Sequence, residues 1–236
     1  MAPLLVKTLT LSLASSVFLL LMAGILSAVS GSLDTGNERI TLPAPDRDGS
    51  VPLETTLQKR RSVRSFQDAP LALQAVSQLL WAAQGITDRR GFRTAPSAGA
   101  LYPLEIYVAV EKVSGLTAGI YLYEPLKHSL ILIAAGDYLA KLSRVALWQD
   151  VITQAPAVFV VAGMAKRTTS KYGERGLRYM YMESGHAAQN ICLQAVAIGL
   201  DSVTIGAFTD NEVARVLQME KGLSPLYIIP VGKAKH

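Results

Sequence analysis

Arg60-Arg61-Ser62-Val63-Arg64-Ser65-Phe66 is the stretch on which the reading of this chain turns. Side chains alternate along an extended segment, so Arg60, Ser62 and Arg64 would share one face. Two guanidinium forks and a hydroxyl on one face make a natural seat for a phosphate dianion. The plain alternative is a solvated basic run, ion-paired to Asp68 or Glu54. About thirty residues later comes a loop of small residues, Thr94-Ala95-Pro96-Ser97-Ala98-Gly99-Ala100. With no bulky side chain before Leu101, a flat ring could lie close to its backbone and Ser97 could hydrogen-bond it. The same residues also suit a bare helix-to-strand turn. Further on, a strand ends in Thr204-Ile205-Gly206-Ala207-Phe208, where Gly206 allows close backbone approach.

Around these segments the pattern is that of one folded domain. The chain has 236 residues, a formal charge of +5 and scattered basic residues, with no long Lys/Arg tract that would point to nucleic acid. Cys192 is the only cysteine, which excludes an intramolecular disulfide, and it sits in an apolar helical pattern as a buried hydrophobe. No His/Cys/Asp/Glu cluster has metal-ligand spacing, so no metal is expected.

Periodicity predicts a short helix over 53–59 and a helix from about Leu71 to Gly85. Strands follow over 104–110, 120–123 and 130–134, then an amphipathic helix over 138–148. The continuous apolar run 156–162 reads as a buried central strand. A long helix over 175–198, apolar on nearly all sides in its middle, belongs in a core or a subunit interface and ends at Gly199. A strand over 202–205, a helix over 211–218 and a last strand over 226–231 complete the pattern. Helices and strands without regular βα alternation suggest an α+β sandwich.

The N-terminus reads differently. Lys7 is the only charge before Asp34, and Leu9 to Val29 is apolar apart from one Thr and four Ser. Ala28-Val29-Ser30 offers small residues for cleavage. Residues 1–30 are therefore expected to be a secretory signal peptide or, uncleaved, a membrane anchor. The protein is therefore expected to be exported, periplasmic or otherwise extracytoplasmic, or alternatively membrane-anchored by that segment. Residues 31–52, rich in Gly, Pro, Asp and Ser, read as a linker, and 53–236 as the folded domain.

Four motifs in order carry a resemblance: Arg60 to Arg64, Pro96-Ser97-Ala98-Gly99-Ala100-Leu101-Tyr102-Pro103, Lys171-Tyr172-Gly173 through Glu183-Ser184-Gly185-His186-Ala187-Ala188-Gln189-Asn190, and Gly199 to Phe208. With them the chain resembles the FMN-dependent nitroreductase superfamily, and within it the SagB-type, thiazoline-oxidase-like dehydrogenases. The resemblance runs from about Leu53 to Gly232. It implies an α+β, three-layer sandwich with a mostly antiparallel central sheet and a long core helix. It also implies FMN as cofactor and a homodimer whose flavin sites lie at the subunit interface.

By that resemblance, Arg60 and Ser62 take the flavin phosphate, and Arg64 takes the phosphate or the pyrimidine edge. Lys233 could complete the phosphate site. Pro96, Ser97, Ala98 and Gly99 reach the flavin of the partner subunit. Backbone N–H groups of Ile205, Gly206 and Ala207 approach N5 and O4. Where many nitroreductases carry Glu-Gly, this chain has Gly206-Ala207, which removes any role for that carboxylate. Lys171 and Tyr172 correspond to a pair assigned to proton removal in the azoline-oxidising branch, and either could be the base. The pair could also simply pack at the entry to the long helix. His186 and Glu183 are expected to be structural.

The functional reading is a flavin-dependent oxidoreductase passing hydride through flavin N5, oxidising azoline-like or other small or peptide-derived substrates. The alternatives are an NAD(P)H-dependent nitro or quinone reductase and an exported, non-catalytic flavin-binding module. The chain has no Gly-x-Gly-x-x-Gly fingerprint of a dedicated dinucleotide domain.

Overall fold

The structure, a computed structural model, describes residues 38–235. Its architecture grows from the apolar run at 156–162, which forms a strand over Ala157–Met164, buried from Ala157 to Gly163. In chain order the elements are β1 (Arg39–Thr41), α1 (Leu53–Lys59), β2 (Leu71–Ala72), α2 (Leu73–Gln84), β3 (Leu104–Val110), β4 (Val113–Ser114), β5 (Gly119–Glu124), β6 (Ser129–Ala135) and α3 (Leu139–Val145). They continue with α4 (Val151–Gln154), β7 (Ala157–Met164), α5 (Ala165–Tyr172), α6 (Arg175–Ala197), β8 (Asp201–Ser202), α7 (Asp210–Val216) and β9 (Leu223–Gly232). A seven-stranded sheet has the order β1-β6-β5-β3-β7-β9-β8, and each neighbouring pair is antiparallel.

The two-residue period of the strands builds three layers. Ala157, Phe159 and Val161 join Leu104, Ile106 and Val108 of β3 on one face, where α2 and α6 pack through Val76, Leu79, Ala187 and Ile191. Val158, Val160 and Ala162 join Tyr107 and Ala109 on the other face, covered by α3, α4 and α7 through Leu142, Ile152 and Val213. A strand buried on both faces shows no polar alternation, which is why β7 reads as an unbroken apolar run. Each fully buried Val, Ile or Phe contributes about 1.5–3 kcal/mol. The sheet centre therefore supplies much of the stability, and the strand ends and loops are left to hold the site.

Several expectations need correction. The described part of the 31–52 stretch is not simply a linker: Arg39–Thr41 pairs with Ser129–Ile131 as an edge strand, and Leu42 is buried. The helix after Pro70 begins at Leu73, because Leu71–Ala72 pairs with Val113–Ser114. The helix expected over 138–148 stops at Val145, and Leu147 and Trp148 turn left-handed, each with φ 59°. The strand expected over 202–205 is interrupted. Ser202 pairs with Val231, Ile205 bridges Ile228, and between them Val203 lies opposite Pro230, which has no N–H to give. Helix α5 was not anticipated, and it carries Lys171 and Tyr172 in its last turn. The apolar leader lies outside the described residues. Among the described residues no helix is long and apolar enough to cross a membrane.

Candidate active site

Helix α1 ends where the Arg60 N–H bonds Thr56 O, and at Arg60 the chain turns out of the helix with φ −54° and ψ 122°. The segment then runs extended. Ser62 bridges Ser202 in parallel, Phe66 bridges Ala234 in antiparallel, and Val63 N–H donates to Ser202 O at 3.0 Å. Gln67 N–H donates to Lys233 O at 2.8 Å and Lys235 N–H to Ser65 O at 3.0 Å. Phe66 is buried against Gly232, and Val63 packs on the second core face. These apolar anchors leave Ser62, Arg64 and Lys233 exposed and Arg60 half-buried. The alternative ion pair does not form: Asp68 is held by Lys112, and among the described residues neither Arg60 nor Arg64 makes a salt bridge. Cys192 lies beneath this segment, beside the Ser202 hydroxyl and within the field of Arg60. Burial pushes its thiol up, so it is a poor nucleophile.

The small-residue loop is the second part. Thr94 anchors it to the end of α2 through bonds to Gly85 O and Trp81 O. Ser97 Oγ accepts from Tyr102 N–H at 2.9 Å, and Ala98 N–H donates to Glu183 Oε1 at 2.9 Å. Gly99, Ala100 and Tyr102 all have positive φ, of 61°, 53° and 44°. Positive φ at Ala100 and Tyr102, neither of them glycine, is the kind of strain that clusters at functional sites.

The head groups of α5 reach this loop. Arg167 donates to Tyr102 O at 3.1 Å and is ion-paired with Glu105, which fixes the helix beside the loop. A methyl group on Gly99 would sit 2.6 Å from the Tyr172 hydroxyl and 2.9 Å from Lys171 Nζ. Lys171 Nζ lies 5.4 Å from the Tyr172 ring centre, and that ring meets Tyr179 edge-on at 5.1 Å. Pro96, Ser97, Ala98, Tyr179, Met182, Glu183 and His186 line an open cavity of about 270 Å³.

Glu183 was expected to be structural, and the structure specifies how. It is buried on α6 and binds the backbone of the loop. Burial pushes its carboxyl above the usual range, offset by the Ala98 N–H and the Ser97 hydroxyl. Its signal in the sequence was a carboxylate on the same helix face as Ala187 and Ile191, where a buried acid must find partners. Tyr179 had no such signal. His186, also expected to be structural, is exposed among the described residues.

Ile205, Gly206 and Ala207 form the third part. Ile205 is buried, whereas Gly206 and Ala207 are exposed, and nothing stands within 4 Å of where a Gly206 side chain would point. Gln149 Nε2, which sequence reasoning missed, donates to Ala207 O at 3.0 Å. Within one chain Arg60, Ser62 and Arg64 lie on one segment whose backbone pairs, through Gln67, with Lys233, and separately Gly99 of the 96–99 loop meets Lys171 and Tyr172. Glu183 belongs to the second group and Cys192 to the first, about 14 Å apart along the α6 axis at 1.5 Å per residue.

These residues fit a flavin mononucleotide. Uncommitted guanidinium groups, a hydroxyl and an ammonium suit one phosphate. From Ser202 the chain leads over four residues to bare, exposed backbone at Gly206.

A model of the nitroreductase family matches residues 57–233. The chain is 45% identical over 196 residues to the protein MJ1384 of Methanocaldococcus jannaschii, named for the nitroreductases, covering 83% of this chain and 98% of that one. It is 28% identical over 169 residues to the microcin B17-processing protein McbC of Escherichia coli, covering 67% of this chain and 61% of McbC. A nitroreductase-named crystal structure from Ralstonia eutropha superimposes with a TM-score of 0.75 at 31% identity, over 86% of this chain and 93% of that one.

Proposed function

Because the chain belongs to the nitroreductase family of flavin-dependent oxidoreductases, we propose that it binds FMN and acts as a SagB-type dehydrogenase on azoline-like or other small or peptide-derived substrates. One observation carries this reading: Lys171 Nζ and the Tyr172 hydroxyl converge on the bare backbone of Gly99. A base held at the loop proposed to face the flavin is what oxidation at carbon needs and what simple electron acceptance does not. The name of McbC, a microcin B17-processing protein, supports the substrate class.

Bound FMN would supply a two-electron acceptor at N5. Arg60, Ser62 and Lys233 would hold its phosphate, with Arg64 at the phosphate or the pyrimidine edge. Backbone N–H groups at Ile205 to Ala207 would orient the ring. Lys171 or Tyr172 would take the carbon-bound proton as hydride leaves the substrate. We further propose a homodimer, in which the 96–99 loop of one subunit completes the site of the other. The exposed Leu177, Tyr181 and Met182 of α6 support that interface. The leader, outside the described residues, is proposed to export or anchor the enzyme.

The test is Lys171→Met and Tyr172→Phe. Each should keep the bound-flavin spectrum and reduction by dithionite. Each should slow substrate-dependent flavin reduction by roughly two to four orders of magnitude, the span for losing a general base. The identity to MJ1384 favours a second reading, an NAD(P)H-dependent nitro or quinone reductase. Its substrates give up no carbon-bound proton, so both variants would then reduce nitro or quinone acceptors at the wild-type rate.

A further inference from the structure

From the turn that follows α3 we infer that Trp148, with Leu147 beside it, is an aromatic platform on which a planar aromatic or azole ring of the substrate stacks. This rests on the reading that Gly206 and Ala207 face the flavin ring.

Four observations carry it. First, Leu147 and Trp148 are consecutive left-handed residues, both with φ 59°, a conformation that bulky L-residues avoid. Second, the turn is held firmly. Trp148 N–H donates to Ser143 O at 2.9 Å, the Ser143 hydroxyl to Gln149 O at 3.1 Å, and Gln149 Nε2 to Ala146 O at 3.0 Å. Third, the side chains so presented are not buried: Leu147 is 61% exposed and Trp148 70%. A costly backbone that yields no burial needs another reason to exist. Fourth, the turn is docked on the proposed ring-binding backbone. Gln149 Nε2 also reaches Ala207 O at 3.0 Å, and Thr209 N–H donates to Val145 O at 3.0 Å.

The chemistry of the ligand follows. The Arg144 guanidinium lies over the indole, 5.5 Å from the ring centre, and backs one face. The other face is left for a flat π-system. Leu147 adds an apolar edge with no hydrogen-bonding group, so the platform selects by shape and planarity. The bond from Gln149, the residue after Trp148, to Ala207 O ties this platform to the strand end where the flavin ring is proposed to sit.

The experiment uses the full chain loaded with FMN and kept oxidised, so that no turnover occurs. Menadione, a planar bicyclic quinone, is titrated, and its binding is read from the flavin absorbance shift and by calorimetry. Trp148→Ala should raise the menadione dissociation constant roughly two- to tenfold, the range of one aromatic contact. Trp148→Phe should stay near wild type. FMN affinity and sedimentation should not change in either variant.

An unchanged menadione constant in Trp148→Ala overturns the inference, as does a wild-type protein that binds no menadione. A parallel loss of FMN affinity would make Trp148 a cofactor support, and a changed sedimentation coefficient would make it a subunit contact; either refutes the platform. If the wild-type protein takes up no FMN, the flavin reading itself fails. Menadione quenching of tryptophan fluorescence in the flavin-free chain, compared between wild type and Trp148→Ala because Trp81 also emits, then still tests the platform: equal quenching in both overturns it.

Discussion

Replacing Gly99 by alanine probes the contact on which the proposed chemistry rests. The new methyl would stand 2.6 Å from the Tyr172 hydroxyl and 2.9 Å from Lys171 Nζ. Reaching ordinary contact at 3.4 Å requires the hydroxyl to retreat by about 0.8 Å. Tyr172 is braced edge-on by Tyr179 at 5.1 Å, so it cannot swing freely. Two costs add. Holding alanine at φ +61° costs about 1–2 kcal/mol, and forcing a packed side chain aside costs about 1–3 kcal/mol. A double-mutant cycle separates them. Tyr172→Phe removes the hydroxyl, so Gly99→Ala in that background should keep the backbone cost and lose much of the clash. The expected coupling is about 1 kcal/mol or more, roughly 2–4 °C in melting temperature for a domain of this size. Denaturant or thermal unfolding of the four proteins measures it without any substrate. Additive effects would refute the placement of Tyr172 against the loop. With a substrate in hand, the same shift should slow flavin reduction by about one to two orders of magnitude, because misplacement near 1 Å can cost that much.

Arg60→Ala should weaken FMN binding by roughly ten- to more than a hundredfold, the worth of one charge-assisted bond to phosphate. Its unfolding free energy should shift by less than about 0.5 kcal/mol. Fluorescence titration and chemical denaturation decide between the two effects. Sedimentation of the purified protein should give the mass of a homodimer, and Tyr181→Glu with Met182→Lys should convert it to monomers that have lost flavin; a flavin-loaded wild-type monomer would contradict the interface. His128 supplies a pH prediction. Its Nε2 contacts Ser77 Oγ at 2.7 Å and Pro43 O at 3.0 Å, and its Nδ1 contacts Tyr123 OH at 2.9 Å. Burial holds its pKa below the ordinary 6.5, so the fold favours the neutral ring. Its contribution is present above pH 6.5 and is lost as pH falls toward the depressed value. His128→Asn should therefore flatten the stability profile over that acidic window.

The core was legible because its signals are periodic and long. The β7 run, the β3 strand and α6 all lie within two residues of where pattern alone puts them. Elements fixed by distant partners were not legible. β1 exists because Arg39–Thr41 finds the free edge of β6, and nothing within those three residues announces a strand. α5 hides because its sequence, Ala-Lys-Arg-Thr-Thr-Ser-Lys-Tyr, has no apolar stripe, and it is held instead by Arg167 at Glu105 and Tyr102. In the site, the arginine segment could be read from alternation and charge. Gln149 could not, since its bond to Ala207 O depends on a turn that breaks the expected helix. Family resemblance, rather than local pattern, singled out Lys171 and Tyr172, and only the fold shows which atoms they meet.

Helix α6 touches both halves of the candidate site, with Glu183 fastened to the small-residue loop and Cys192 seated under the arginine segment. It therefore behaves as a measuring rod. Side chains along it can be exchanged to suit a new substrate, but the nine-residue interval between those two positions cannot change by one without turning the far end through about 100°. Divergence of this enzyme should accordingly proceed through loops such as 146–149, while insertions and deletions stay out of that interval. A single-residue insertion after Gln189 would turn the buried Ile191, Cys192 and Ala195 out of the core as well as uncouple the two halves, so stability and alignment would be lost together.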